Sequence, residues 1–450
     1  MKLLIIAMTL IILTKPVLAS DSAFAEQFSN IEQTQQAASH DVAVSIMQSL
    51  GYSTLATVIE RFSDYCGYLT MAKDLGLITS YNVILNNYEI RSLLQKVDYK
   101  LSAPLWVHGF YAFASFDQRY LIKDMDSVSF GWARMDWCET YGARLNTTRQ
   151  NGNHWAIPIG YEIIAEFPYQ QGANTHLSIF MDTTMGLQYL VANERYRQQA
   201  INAILHEATR TYTAIGRSPF NGVTINFEGL RGDVSKNHFT AFLTALEHRL
   251  RAENLSLYVT VHPATIDGIY FDGYDLRRIG QLADKVILMA HDYHPRSLQG
   301  FLGSQWQRNA ALTPIAEVYN ALRVITCPLT GVYDRSKIAV AFSFANVGWF
   351  INRYNQVIYP YPVTPSIETV YRRMNQESTY FGWCEYLRNP YIIYTTEDYR
   401  NVFLWHENYQ SIAEKIKLAR LFGITGTSVW RLGMIPNFEG WCVWQNFSNS

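Results

Sequence analysis

A charge excess, a cysteine framework and a cofactor motif are all missing from this sequence of 450 residues. The formal net charge is -1, from 37 basic and 38 acidic residues, so a nucleic-acid partner held through its phosphates is not expected. The five cysteines show no Cys-x-x-Cys spacing, which argues against a zinc site. One disulfide is possible, but the odd number of cysteines leaves at least one thiol free. We therefore expect no metal and no cofactor.

The sequence opens with MKLLIIAMTLIIL, in which Lys2 precedes an apolar stretch that runs to Leu13. Lys15 and Pro16 interrupt it before it reaches the length of a membrane span, and small residues follow at Ala19 and Ser20. This pattern predicts a secretory signal over residues 1–20 and export of the protein to the cell envelope or beyond. An uncleaved membrane anchor is the alternative.

The composition suits a large core and a stacking surface. Apolar residues make up 48% of the chain and aromatic residues 14%, including 11 Trp and 30 Tyr. Aromatic rings stack on flat ligand faces such as those of sugars, but most large aromatic residues simply fill cores. Residues 21–100 differ from the rest, since they contain no Trp and show helical periodicity. We predict a separate small helical module there.

From residue 101 onward, short apolar runs alternate with helical segments, which is typical of a parallel sheet wound with helices. Eight such runs predict an α/β fold, a (β/α)₈ barrel over residues 101–445. Residues 345–408 are too long for a simple connection and predict a small subdomain inserted between strands seven and eight. The candidate strands are 105–113, 126–135, 176–184, 222–228, 255–263, 285–293, 337–344 and 426–433.

Two helices carry end signals. Asn193 is placed to cap a helix whose apolar residues recur on one face, and Ser411 with Glu414 predicts a capping box at the start of the last helix. Gly423 is placed to end that helix.

The fourth strand, GVTINFE, brings one carboxylate to its C-terminal end. Active sites of such barrels lie at this end of the strands, so Glu228 is the first candidate for a catalytic group. Because side chains alternate along a strand, Thr224 and Asn226 share its face and point into the barrel. Both are uncharged.

The stretch NGVTINFEGL resembles the DGxDxDxE motif of glycoside hydrolase family 18, in particular its YaaH/SleL-like branch of spore-cortex and wall-lytic enzymes. KVILMAHDYH is similar to the sixth strand of that branch, and GTSVWRLG to its eighth. NVFLWHENYQSIAEKIKLARLFGITG is similar to the segment before the eighth strand. Within residues 21–100, RFSDYCGYLTMAKDLGLITSYNVILNNYEIRSLLQKV resembles a degenerate S-layer homology repeat, which would bind cell-wall polymer; a generic helical hairpin is the alternative.

The resemblance implies substrate-assisted, retaining hydrolysis, in which the 2-acetamido group of the substrate is the nucleophile. It makes Glu228 the general acid and later the base, places Asn226 where the family has the Asp that orients the acetamide, and puts Thr224 where it has an inner Asp. A related family, glycoside hydrolase family 85, pairs an Asn with its catalytic Glu. The other implied or candidate substrate-binding residues are Met289, His291 in place of a Tyr, Asp292, Tyr293, Trp430 as the sugar floor, and, as candidates for the cleft, Tyr111 and Trp132.

The hypothesis from the sequence is a secreted glycosidase acting on N-acetylglucosamine polymers, peptidoglycan more than chitin. Asn226 cannot stabilise a cationic intermediate by charge, and a protonated His291 would lower the pKa of Glu228. A carbohydrate-binding protein without catalysis on the same barrel is therefore the alternative. A secreted structural protein of the wall is a third.

Overall fold

The computed structural model describes residues 36–80, 83–266 and 272–448. The predicted signal, residues 1–20, lies outside these ranges. The chain divides into two compact units, Met1–Ala103 with Phe438–Cys442, and Pro104–Asn437 with Val443–Ser450. Within the described ranges, every helix is too short or too polar to span a bilayer.

The first unit is mostly helical, as the sequence predicts. Two short strands pair antiparallel, and Asn86 and Glu89 form a capping box that begins its longest helix. The likeness of this unit to a wall-binding repeat stays a prediction. Its elements are β1 (Gln36–Ala38), α1 (Ser39–Ser49), α2 (Ser53–Glu60), α3 (Gly67–Asp74), β2 (Ile84–Asn86) and α4 (Asn87–Ser102).

The second unit alternates strands and helices along the chain. Its strands are β3 (Trp106–Tyr111), β4 (Ser127–Cys138), β5 (Gly142–Asn146), β6 (Asn174–Met181), β7 (Gly222–Phe227), β8 (Ser256–Val261), β9 (Lys285–Leu288), β10 (Ile338–Ser343), β11 (Val347–Ile351), β12 (Tyr380–Cys384), β13 (Asn389–Thr395), β14 (Asn401–Trp405) and β15 (Gly426–Trp430). A last short pair, β16 (Asn437–Phe438) and β17 (Trp441–Cys442), consists mostly of residues that group with the first unit. Its helices are α5 (Tyr161–Gln170), α6 (Thr184–Ala192), α7 (Glu194–Thr209), α8 (Gly232–Ala252), α9 (Leu276–Leu282), α10 (Ile315–Ile325), α11 (Ile367–Met374) and α12 (Tyr409–Leu421).

Eight of these strands close into a parallel barrel in the order β3, β4, β6, β7, β8, β9, β10 and β15, and β15 pairs back with β3. The predicted (β/α)₈ barrel and its eight strands are confirmed. The sequence reading missed β5, which lies antiparallel beside the long outer end of β4.

The packing of β7 shows how the apolar pattern sets the two faces of a strand. Phe227 packs its ring 5.4 Å from that of Phe242 in α8, while Thr224 points the other way to bond Ser129 of β4. Burying an aromatic ring such as that of Phe227 stabilises the fold by roughly 1.5–3 kcal/mol, and this orients the polar side chains of the strand inward.

Two helix ends illustrate what local signals can predict. Asn193 caps α7 by accepting from the Tyr196 N–H, as expected. The last helix, α12, instead begins at Tyr409, because Asn408 and Ser411 form its capping box. The expected Ser411–Glu414 box is therefore wrong. Gly423 follows α12 with φ of 79°, a conformation that glycine adopts without strain.

The predicted insertion between barrel strands seven and eight is an antiparallel sheet in the order β11, β14, β13, β12, accompanied by α11. One face carries apolar side chains that pack on the loop between β9 and α10. The indole N–H of Trp405 also donates to the Gln307 carbonyl of that loop, at 2.8 Å. The sheet is thus held to the connection after the sixth barrel strand.

A buried ion pair anchors the base of the insertion. Glu407, just after β14, accepts two bonds from Lys415 of α12, at 2.9 and 2.7 Å, and the two side chains are 1% and 0% exposed. Thr313, Asn389 and Ser411 also donate to this carboxylate. Three segments of the unit therefore meet at one satisfied charge.

Replacing Lys415 by Met should lower the free energy of unfolding by about 3–5 kcal/mol, because the Glu407 carboxylate would stay buried without its cation. Chemical denaturation monitored by tryptophan fluorescence measures the change. The control is Lys236→Met, which removes an exposed pair with Asp233 of the same 2.7 Å length and should cost about 1 kcal/mol or less. Equal losses in the two variants would contradict this account.

Candidate active site

Glu228 stands directly after β7, at the C-terminal mouth of the barrel. Its backbone N–H donates to the Met181 carbonyl at the end of β6, at 2.8 Å, which fixes the start of the side chain. The side chain is 31% exposed, so it faces solvent on one side and protein on the others. The structure therefore places the predicted acid where barrel active sites lie.

Asn226 lies two residues before Glu228, on the inner face of β7, and its side chain is buried. Its carbonyl oxygen accepts a bond from the Thr260 hydroxyl of β8, at 2.6 Å. The neutral amide of Asn226 also favours the ionised form of Glu228 and so lowers the pKa of that carboxyl. Asn226 thus acts on the acid as a polar group rather than through charge.

Thr224 belongs to a chain of buried polar groups that crosses the barrel interior. Its hydroxyl lies 2.7 Å from that of Ser129 and 3.3 Å from Nδ1 of His176. Ser129 in turn contacts Nε2 of His108 at 2.8 Å, and His176 contacts Ser256 at 2.8 Å. The chain links side chains from β3, β4, β6, β7 and β8.

This interior chain is uncharged. Burial lowers the pKa of His176 to about 3, and burial with the nearby His176 lowers that of His108 well below its ordinary value. Both imidazoles are therefore neutral at pH 7, and hydroxyl groups satisfy them. A neutral Thr224 fits such surroundings, whereas a carboxylate there would lie among groups that carry no positive charge.

The pKa of the Glu228 carboxyl is raised to about 7, mainly because burial disfavours its charged form. His291 and the Asn226 amide lower this pKa, while the carboxylates of Asp182 and Asp292 raise it. A carboxyl group with a pKa near 7 is protonated in a useful fraction of molecules at neutral pH and can donate a proton.

The segment after β9 brings His291 and Asp292 to the same site. Nδ1 of His291 lies 3.0 Å from the Asp292 carboxylate. Although burial alone would raise it, the pKa of Asp292 is lowered, because His291, His294 and Ser343 favour its ionised form. Asp292 thus supplies a negative charge close to Glu228.

Met289 and Tyr293 flank that segment. The Met289 N–H donates to the Val261 carbonyl at 3.0 Å and extends the pairing of β9 with β8. Burial raises the pKa of the Tyr293 hydroxyl well above its ordinary value, and that hydroxyl has no hydrogen-bond partner among the described residues.

Aromatic rings form a row at the barrel mouth. Trp430, the last residue of β15, is half-buried, and its ring centroid lies 5.2 Å from Phe110 and 5.8 Å from Trp155. Trp155 stacks in turn on Phe180 of β6, at 4.4 Å. Trp430 therefore lies where a floor for a sugar ring is expected, and Trp155 extends the aromatic row towards the strand before β7.

Tyr111 and Trp132 lie elsewhere. Tyr111 is 4% exposed with its ring 5.8 Å from Phe130, and Trp132 is 2% exposed and stacks on the same ring at 4.2 Å. Trp132 also packs against Phe220. The structure thus makes both residues part of the packed core and does not bring them to Glu228, because they occupy the outward face of their strands.

Three further residues that the sequence reading did not single out adjoin the site. Nε2 of His262 lies 3.8 Å from Glu228, and burial, with the charges of His291 and Arg231, lowers its pKa to about 4. Asp182 influences Glu228 through its charge. His262 and Asp182 directly follow β8 and β6, and Thr260 lies on the inner face of β8, so checking each strand end against its alternation could have found them.

A cleft of about 350 Å³ opens at the C-terminal ends of β4 and β6 and includes Asp182, whose charge acts on Glu228. Its charged residues include the Arg134–Asp136 ion pair, with a 2.7 Å contact, and Asp182. Trp137 stacks on Tyr189 in its wall. The full lining is Arg134, Met135, Asp136, Trp137, Tyr141, Asn151, Met181, Asp182 and Thr183. In the described part of the chain, no three His, Cys, Asp or Glu side chains are grouped to hold a metal ion.

A protonatable carboxyl at the mouth of a (β/α)₈ barrel that also carries a half-buried Trp is an arrangement typical of glycosidases. The sequence profile of glycosyl hydrolases family 18 matches residues 84–434, and the chain belongs to that family. The predicted resemblance is thereby confirmed.

Two curated relatives come from Bacillus subtilis (strain 168). The cortical fragment-lytic enzyme is 24% identical over 248 residues, 54% of this chain and 52% of the relative. YdhD is 26% identical over 225 residues, 49% of this chain and 49% of YdhD. The matched region thus spans about half the length of these relatives.

Two solved structures share the fold. The spore cortex-lytic enzyme SleL of Bacillus cereus superposes with a TM-score of 0.56 at 16% identity, covering 84% of this chain and 80% of SleL. A chitinase from Chromobacterium violaceum ATCC 12472 gives a TM-score of 0.58 at 16% identity, covering 76% of this chain and 98% of the chitinase. At these identities the likeness supports the fold.

Acid should destabilise the wild type partly through His176. The folded state keeps this imidazole neutral down to about pH 3, whereas the unfolded chain takes up its proton near pH 6.5, so the contribution is present above that pH and is lost as the pH falls. Between pH 7 and 5 it amounts to about 2 kcal/mol. Chemical denaturation at both pH values measures the change in the free energy of unfolding, which should be smaller by that amount in His176→Gln than in the wild type. The control is His248→Gln, at an exposed position. An equal change between the two pH values in all three proteins would refute the assignment.

Replacing Asn226 by Asp should raise the pKa of Glu228 by about one unit, because a like charge is added and a hydrogen-bond donor is lost. Carbon-13 NMR of carboxyl-labelled glutamate follows this ionisation, and Glu228→Gln identifies the signal. Asn202→Asp, an exposed change of the same charge on α7, should leave the titration as it is. A lowered pKa in Asn226→Asp would contradict the expected geometry.

Proposed function

We propose that this protein hydrolyses β-linked N-acetylglucosamine polymers, peptidoglycan more than chitin, with substrate assistance and retention at the anomeric carbon. The observation that carries the proposal is the position of Glu228, directly after β7 at the C-terminal mouth of the barrel, where burial raises the pKa of its carboxyl to about 7. The similarity to the spore cortex-lytic enzyme SleL and to the cortical fragment-lytic enzyme supports the choice of a cortex or wall polymer.

In the first step, Glu228 gives its proton to the glycosidic oxygen, and the leaving sugar departs as an alcohol. The acetamido oxygen of the remaining sugar attacks the anomeric carbon and forms a cyclic oxazolinium ion. In the second step, ionised Glu228 takes a proton from water, whose oxygen attacks the same carbon and opens the ring. The two attacks on opposite faces give net retention.

The positive charge of this intermediate needs stabilisation that a neutral Asn226 does not supply. Asp292 and Asp182 are the carboxylates whose fields reach Glu228. The lowered pKa of Asp292 keeps it ionised. We assign to these two residues the electrostatic role and to Asn226 the orientation of the acetamido group.

Substrate binding follows from the shape of the mouth. Trp430 forms the floor under the sugar that is attacked, and His291 and Asp292 line the site from the side of β9. The cleft at Asp182 takes the leaving sugar, whose hydroxyls suit both the Arg134 donor and the Asp182 acceptor. Its volume is near the lower end of the range of roughly 300–1,000 Å³ for small-ligand sites, which suits one sugar.

The place of action completes the proposal. A signal over residues 1–20 would export the protein, and the helical unit before the barrel would hold it on cell-wall polymer. Both assignments are supported by sequence patterns alone.

The second candidate is a carbohydrate-binding protein that retains the barrel and Trp430 without turnover. The neutral residues at 224 and 226 favour it, because the family motif has carboxylates at both positions.

Hydrolysis of peptidoglycan and of chitooligosaccharides by purified protein tests the proposal. Glu228→Gln should lower kcat by about 10²–10⁴ while binding is retained, because the amide keeps the shape of the side chain but cannot give a proton. Trp430→Ala should instead weaken binding. Equal amounts of product from the wild type and from Glu228→Gln would exclude hydrolysis by Glu228. Saturable binding without product from either protein would favour the second candidate, the carbohydrate-binding protein.

A further inference from the structure

The hydrogen bond between Thr260 and Asn226 determines more than the position of two side chains. The Thr260 hydroxyl donates to the Asn226 carbonyl oxygen at 2.6 Å and lies farther, at 3.3 Å, from the Ile225 carbonyl. Both side chains are buried, at 1% and 2% exposure. A hydroxyl has a single proton to donate, and the shorter contact takes it.

An asparagine amide has chemically different ends. The carbonyl end only accepts hydrogen bonds, and the N–H₂ end only donates them. Because Thr260 occupies the carbonyl end from the β8 side, the N–H₂ end is the one left to face Glu228. A donor placed there stabilises the ionised carboxylate, in agreement with the direction in which Asn226 moves the pKa of Glu228.

We propose that Thr260 is a positioning residue that fixes which end of the Asn226 amide faces Glu228. Thr260 and Asn226 then act as a pair: the hydroxyl orients the amide, and the amide donates to the carboxylate once Glu228 has given up its proton. An aspartate at 226 would need no such partner to choose an end, since both of its oxygens accept. Without the hydroxyl, both amide orientations would be populated, and one of them points an acceptor at Glu228.

The other groups near Glu228 that influence its ionisation belong to residues that a substitution at position 260 does not replace. They are His262, whose own neighbours include Arg231, together with Tyr274, His291, Asp182 and Asp292. A change in the titration of Glu228 after substitution of Thr260 therefore reports on the orientation of Asn226.

Thr260→Val removes the hydroxyl at nearly the same volume, and Thr260→Ser keeps it. Titration of the Glu228 carboxyl by carbon-13 NMR should show a pKa raised by about half to one unit in Thr260→Val and restored in Thr260→Ser. Thr260→Ala provides a second side chain without a hydroxyl if valine prevents folding. Thermal unfolding is recorded for each variant, because a merely structural role would lower stability and leave the titration of Glu228 at its wild-type value, which would overturn the proposal.

The catalytic consequence rests on the proposed function and is measured separately. In Thr260→Val the high-pH limb of kcat/KM should move upward with the carboxyl pKa, and kcat should fall by about tenfold, while Thr260→Ser behaves as wild type. If no variant hydrolyses the polymers but the titration shifts as expected, the positioning role stands and the proposed hydrolysis fails. If hydrolysis occurs and both the titration and the pH profile of Thr260→Val match wild type, the positioning role fails alone.

Discussion

Burial of the Glu228 carboxyl at the barrel mouth is the constraint to which its neighbours are fitted. Burial favours the protonated form, but a protonated imidazole or another cation nearby would reverse that preference. His262, only 3.8 Å away, is kept neutral at pH 7 by its own lowered pKa. His291 opposes the effect of burial without overcoming it. The site thus keeps a usable acid because its histidine neighbours are prevented from charging or are offset.

The same constraint accounts for the neutral residues beneath the acid. The family motif places carboxylates at 224 and 226, and this chain replaces them with groups that hydrogen-bond. Thr224 joins a chain of hydroxyls and neutral imidazoles, and Asn226 accepts a bond from Thr260. Negative charge is supplied instead from the strand ends, by Asp182 and Asp292. The charge has moved from the interior of the barrel to its rim, where solvent lowers the cost of ionisation.

The sequence predicts the fold because short apolar segments that end in polar residues recur along the chain, separated by segments long enough to form a helix. Alternation alone placed Thr224, Asn226 and Glu228 on one face, since a strand has only two faces. Tyr111 and Trp132 show where this reading stops: an aromatic residue near a strand end suits both the cleft and the core, and only the register of β3 and β4 sends these two rings outward. His262 directly follows β8, the neighbour of β7, so its place at the mouth is predictable; its 3.8 Å approach to Glu228 depends on side-chain geometry that alternation does not give.

The buried carboxylate of Glu407 and the partly exposed one of Glu228 show how the protein separates structure from chemistry. Glu407 is enclosed with Lys415 and three further donors, so its charge is fully matched and fixes the insertion to the barrel. Glu228 has no such cation and lies in the fields of Asp182 and Asp292, and the side that faces solvent leaves room for a substrate. A carboxylate enclosed by a cation and several donors is stabilised in its charged form and is a poor proton donor. Incomplete matching at Glu228 is therefore what makes that group available for acid catalysis, and the neutral amide of Asn226 limits how far the matching goes.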